Sequence, residues 1–154
     1  MYNREKAVAY ANKWAFSRNP QYYNFDNLGG DCTNFISQCL YAGCGQMNYT
    51  KDTGWYYSSP SNRAAAWSGV EFLYRFLLSN KGAGPKAMEL PPEQAEIGDI
   101  IQLSFNGLNF GHSLLVVETA PEILIATHTD DSLNRPLSTY NYAKARLLHV
   151  IFDK

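Results

Sequence analysis

No stretch of the 154 residues approaches 18 consecutive apolar positions, and that excludes a membrane-spanning helix. The first 14 residues carry charge and no apolar block, so no signal peptide is expected there. Two placements follow as expectations: a cytoplasmic protein, or a domain cut from a longer exported chain. Surplus charge is also missing. A net charge of −1 leaves no basic footprint for nucleic acid and no general attraction to anionic surfaces. Internal repeats, low-complexity tracts and a clear linker are absent, so a single domain over residues 1–154 is expected, long enough to bury a full core. Cysteines are few: 32, 39 and 44, an odd number too closely spaced for a disulfide framework. Their spacing does not make a zinc pattern, because Cys39 and Cys44 have no second pair. No metal and no organic cofactor is expected.

What is present is a chain of two characters. Asn3 can cap a first helix to about Ser17, with Ala7, Tyr10, Ala11 and Trp14 as its apolar stripe. Asn19-Pro20 ends it, and an irregular loop over 21–31 leads to Gly29-Gly30-Asp31-Cys32-Thr33-Asn34-Phe35-Ile36-Ser37-Gln38-Cys39-Leu40. Phe35, Ile36, Cys39 and Leu40 recur at helical spacing, with Gly43 as the stop. Cys39 and Cys44 read as structural. Residues 45–67 form a long connection with few aliphatic residues, where Tyr49, Trp55, Tyr56, Tyr57 and Trp67 either pin a surface loop or wall a groove. Ser68 and Glu71 match a capping box before a helix bearing Phe72, Leu73, Phe76 and Leu77, ending at Lys81-Gly82. Strands are then expected at 100–105, after the Asn106-Gly107 hairpin at 112–118, at 123–129, and from Arg146 to Phe152, with a polar loop over 130–136. Helices first and an antiparallel meander second make an α+β fold.

Asp31 is a plausible N-cap, which would set Cys32 beside the free amides of the first helical turn. The positive end of the helix dipole favours a thiolate there, so Cys32 is a candidate nucleophile. A cysteine nucleophile needs a base, and the base needs an orienting group. Of three histidines, His149 lies within an apolar strand and reads as structural. His112 opens one strand after Gly111 and His128 closes the next, so antiparallel pairing brings the two near each other. His112 is then the base and His128 the group that fixes its tautomer. Asp130 is the rival orienter, with Asn134 more distant.

The run from Asp31 to Leu40 closely resembles the signature of the bacterial "putative amidase domain" family. Gly98-Asp99-Ile100-Ile101, Gly111-His112-Ser113 and Thr127-His128-Thr129 match it in order, so the resemblance covers nearly the whole chain. That family is similar to the NlpC-type and CHAP cell-wall cysteine hydrolases. The resemblance implies a papain-like fold, with N-terminal helices, one carrying the catalytic cysteine, packed on a C-terminal antiparallel sheet. It implies Cys32 as nucleophile, His112 as base, His128 as the polar third member, and peptidoglycan as the amide substrate. It also implies an oxyanion hole built from the Cys32 amide and one upstream donor. Tyr23 and Asn24 are the candidates, since an ionised Asp26 cannot donate. Asp31, Trp55, Tyr56 and Tyr57 are candidates for the groove. Two other activities are compatible with the sequence: an intracellular hydrolase or acyltransferase acting on a small amide or peptide, and a non-catalytic binding module.

Overall fold

A computed structural model describes residues 1–151 of the chain. Two helices come first, α1 (Arg4–Trp14) and α2 (Cys32–Cys44). A short hairpin follows, β1 (Tyr57–Ser59) and β2 (Asn62–Arg63), then α3 (Ala65–Ser68) and α4 (Val70–Ser79). The second half supplies β3 (Lys86–Leu90), β4 (Ile100–Ser104), β5 (His112–Glu118), β6 (Leu124–Thr127), β7 (Ser132–Pro136) and β8 (Lys144–Ile151). These six strands form one sheet in the order β3-β8-β4-β5-β6-β7, with every neighbouring pair antiparallel. The expected α+β layout is observed. No helix among the described residues is long and apolar enough to cross a membrane.

The helices pack on one face of the sheet. Ala7 and Ala11 of α1, Phe35, Ile36, Cys39 and Leu40 of α2, and Leu73, Phe76 and Leu77 of α4 meet Ile100, Leu115, Ala126 and Leu148. On the other face Ile101, Leu103, Leu114, Val116, Ile125 and Leu147 gather beneath Leu137. Both faces of the central strands are therefore covered, and all five residues of β4 are buried. That explains why residues 100–103 lack a simple apolar–polar alternation.

Asn3 caps α1 as expected, its side chain accepting from the Lys6 amide at 3.0 Å. Elsewhere the ends differ from the sequence expectation. The left-handed residue closing α2 is Gly45 (φ +68°), while Gly43 lies inside the helix against the Tyr2 ring. Ser68 does not cap α4: it belongs to α3, and its hydroxyl accepts from Arg63 Nε at 3.0 Å. Glu71 instead reaches Arg146 of β8 at 3.0 Å. β7 lies where a polar loop was expected, and β3 where no element was assigned. β3 and β7 are the sheet edges, partly exposed, so neither carries a clean period of two. The last strand begins at Lys144, and its expected end at Phe152 lies outside the described residues.

Candidate active site

Residues 31–40 are all buried, polar ones included. A helix enclosed on all sides must satisfy its polar side chains internally. Asn34 accepts from Trp67 Nε1 at 2.9 Å. Ser37 accepts from Trp55 Nε1 at 3.0 Å and donates to the Trp67 carbonyl at 2.8 Å. Thr33 shares a hydroxyl hydrogen bond of 2.9 Å with Ser113 on β5. Trp55 is thus a fully buried tie between α2 and the long connection, and the groove role expected for it is corrected: no part of its ring faces solvent.

Asp31 does not cap α2 with its side chain. Its backbone (φ −110°, ψ 2°) is outside the extended region that capping requires. The buried carboxylate turns inward. It accepts from the Phe25 amide at 2.8 Å and from Asn34 Nδ2 at 2.9 Å, and meets His128 Nδ1 at 2.5 Å. Buried in this way, Asp31 has no exposed surface to offer a groove. The other ring nitrogen of His128 lies 2.8 Å from the Trp14 carbonyl, and the ring stacks on Phe35 with centroids 3.9 Å apart. Arg18 closes the assembly from outside, bridging Asp26 and Asp131 at 3.0 Å each. With both nitrogens engaged, His128 makes no hydrogen bond to His112. The structure ties it to the base of α2 instead, through acceptors on α1 and Asp31 that strand pairing cannot reveal.

Cys32 opens α2 with its sulfur beside the Ser113 and Thr33 backbone amides and 3.8 Å from Thr33 Oγ1. Burial raises its thiol above the ordinary value, opposed by those amides and the Thr33 hydroxyl. Desolvation of the anion thus works against the thiolate that the helix dipole favours. His112, one residue before Ser113, sends its ring toward Phe105 and Tyr140, with centroid distances of 6.3 and 5.9 Å. Burial, then the positive charge of Arg135, lowers it to about 4, against a smaller opposing effect of Asp130. At neutral pH it is an uncharged base. Among the described residues no hydrogen bond joins it to Cys32 or to any other side chain.

A cavity of about 300 Å³ lies at His112, lined also by Phe105, Asp130, Arg135 and Tyr140. Asp130, the rival orienter, is in this cavity without a hydrogen bond to the His112 ring. Tyr23 and Asn24 line a different depression of about 660 Å³ with Tyr22, Tyr57 and Pro60, and neither Cys32 nor His112 lines it. Asn24 Oδ1 accepts from the Asp26 amide at 2.8 Å, and the Tyr57 hydroxyl accepts from the Tyr23 amide at 2.8 Å. Tyr56 is half-buried beside Tyr49. Arg135 and Tyr140 went unnoticed in the sequence. They lie in the polar stretch after His128, and no motif marks them. Among the described residues no group of three or more His, Cys, Asp or Glu is placed to hold a metal ion.

The sequence model described as "Putative amidase domain" matches residues 1–151. A Bacillus subtilis (strain 168) protein named "Uncharacterized protein YhbB" is 38% identical over 120 residues, covering 75% of this chain and 37% of its own. A second from the same strain, "Uncharacterized protein YjcM", is 26% identical over 144 residues, covering 88% of this chain and 32% of its own. The chain thus spans about a third of the length of the curated relatives it matches. No solved structure matches it.

Proposed function

We propose an activity for this chain on one premise: it belongs to the putative amidase domain family. The family description points to amide hydrolysis, and the proposal is that hydrolysis here depends on Cys32. The observation that carries it is the link from Cys32 to β5: its sulfur lies 3.8 Å from Thr33 Oγ1, which shares a 2.9 Å hydrogen bond with Ser113, one residue from His112. His112 is also the histidine free to serve. His128 is held by Asp31 and the Trp14 carbonyl, and His149 by Asp99 at 3.0 Å.

With a resting thiol and a neutral imidazole, activation takes place during attack rather than before it. No hydrogen bond anchors the His112 ring, and the proposal has it turn toward the sulfur for the attack. The thiol proton passes to His112 as sulfur bonds to the amide carbon. The tetrahedral oxyanion is held by backbone amides of the first turn of α2, which the Asp31 side chain leaves uncapped. Collapse breaks the carbon–nitrogen bond, the imidazolium proton goes to the leaving amine, and a thioester remains. His112 then takes a proton from water, whose oxygen displaces the sulfur and restores the thiol. Tyr23 or Asn24 would join the oxyanion hole only through a movement of the 21–31 loop.

A helix-borne cysteine and a strand-borne histidine support reading the site as papain-like, and resemblance to cell-wall hydrolases makes peptidoglycan the proposed substrate. His128 acts at a distance, holding Asp31 and so the start of α2, while Asp130 is the polar group beside the base. The test is digestion of purified bacterial cell walls by wild type and Cys32→Ala, followed by new amine ends. Loss of release in the variant supports the reading. Equal release in the two sinks it.

A further inference from the structure

The cavity at His112 holds two opposite charges that do not meet. Asp130 makes no side-chain hydrogen bond and no ion pair within 4.0 Å among the described residues. It is held at the surface by a backbone with φ +56°. Arg135 lies across the same cavity with its guanidinium 3.7 Å above the Tyr140 ring. Its Nε donates to Thr139 Oγ1 at 2.7 Å, and no carboxylate pairs with it among the described residues. An arginine stacked on a ring, with one edge anchored, keeps its other donors in a fixed plane suited to a carboxylate. The Tyr140 ring lines the cavity, while its hydroxyl is buried away from it, beside Ser132 and Arg135.

We infer that this cavity is a subsite for an amino-acid head group, a carboxylate on Arg135 and an ammonium on Asp130, both carried by the same carbon of the substrate. The inference deepens the amide-hydrolase reading and rests on it for its place beside the reacting bond. Two like charges would have suggested a polyanion or polycation. One of each, left unpaired across about 300 Å³, fits a zwitterion. The substrate class that follows is an amide whose amine side bears a free α-amino acid, as when a diamino acid is acylated through its side-chain nitrogen. Such a ligand also acts on the base. A carboxylate on Arg135 offsets the repulsion that this guanidinium exerts on protonated His112, so an occupied subsite eases the proton transfer from Cys32.

The test uses binding, so that it does not depend on turnover. Nε-alanyl-lysine is titrated by calorimetry into the Cys32→Ala protein in four forms: free, α-carboxamide, Nα-acetyl, and both blocked. Blocking either charge should weaken binding by about tenfold or more, as expected for a lost charged hydrogen bond. Arg135→Gln should abolish the preference for the carboxylate and keep that for the amine, and Asp130→Asn the reverse. Equal affinity for the four forms, or no binding by any, overturns the subsite. The comparison among ligands needs no folded Arg135 or Asp130 variant. Failure of the catalytic reading is seen separately, as wall release that survives Cys32→Ala.

Discussion

His112 is buried as a neutral base, and that choice has a cost in acid. Its folded value of about 4 lies below the ordinary 6.5. Between these two values the unfolded chain binds more protons than the folded one, so stability falls as pH drops through that window. His112→Gln should remove this dependence. Urea unfolding midpoints of wild type and variant, compared at about pH 4.5 and about pH 7.5, will read it. The wild type should lose the more on acidification, and equal losses would contradict the burial argument. The motif around Cys32 and the glycine before His112 were legible from sequence, because helix starts and strand starts leave local signatures. The orientation of His128 was not. Its partners, Asp31 and the Trp14 carbonyl, are 97 and 114 residues away in the chain, and only the packing of α1 on β6 brings them together. The burial that raises the Cys32 thiol is hidden for a related reason: a dipole can be seen in a sequence, whereas depth of burial cannot.

At the level of elements, α2 decides the fold of the first half. Its apolar face was plain from the spacing of Phe35, Ile36, Cys39 and Leu40. Its other face was less plain, since Thr33, Asn34 and Ser37 look like surface residues. They are buried because Ser113, Trp67 and Trp55 supply matched partners. Gly43 shows how closely the helix is approached. A Cβ there would come within 2.5 Å of Tyr2 Cε1 and 2.9 Å of the Asn3 carbonyl. Gly43→Ala should therefore destabilise by about 1–3 kcal/mol, the usual cost of overpacking, despite alanine's better helix propensity. Thermal denaturation measures the change, and a rise in Tm would show that Tyr2 moves freely. The edge strands β3 and β7 escaped the sequence for the opposite reason. They are partly exposed and irregular, and their pairing with β8 and β6 gives them their shape.

At the scale of the molecule, one buried carboxylate joins both ends of the described chain. Asp99 accepts from Arg4 Nη1 at 2.7 Å, from the Val150 amide at 3.0 Å and from the Glu96 amide at 2.9 Å. His149 Nδ1 lies 3.0 Å from it. Asp99→Ala leaves a buried guanidinium edge and two amides without their acceptor. A loss of about 3–5 kcal/mol is expected, as for other broken buried pairs. Denaturant titration gives the number, and a loss below about 1 kcal/mol would mean that water replaces the carboxylate. The glycine-aspartate pair was visible in the sequence as the start of a strand, while its role as a clasp was not.

That clasp also brings the first helix against the last strand. Arg4 donates to the Val150 carbonyl at 2.6 Å, so the first helix and the last strand share a doorway. The doorway is beside the start of β4, whereas His112 pairs with Leu103 near its far end. The clasp and the His112 cavity thus stand at opposite ends of β4, so strain at the one reaches the other only along the length of the central strands.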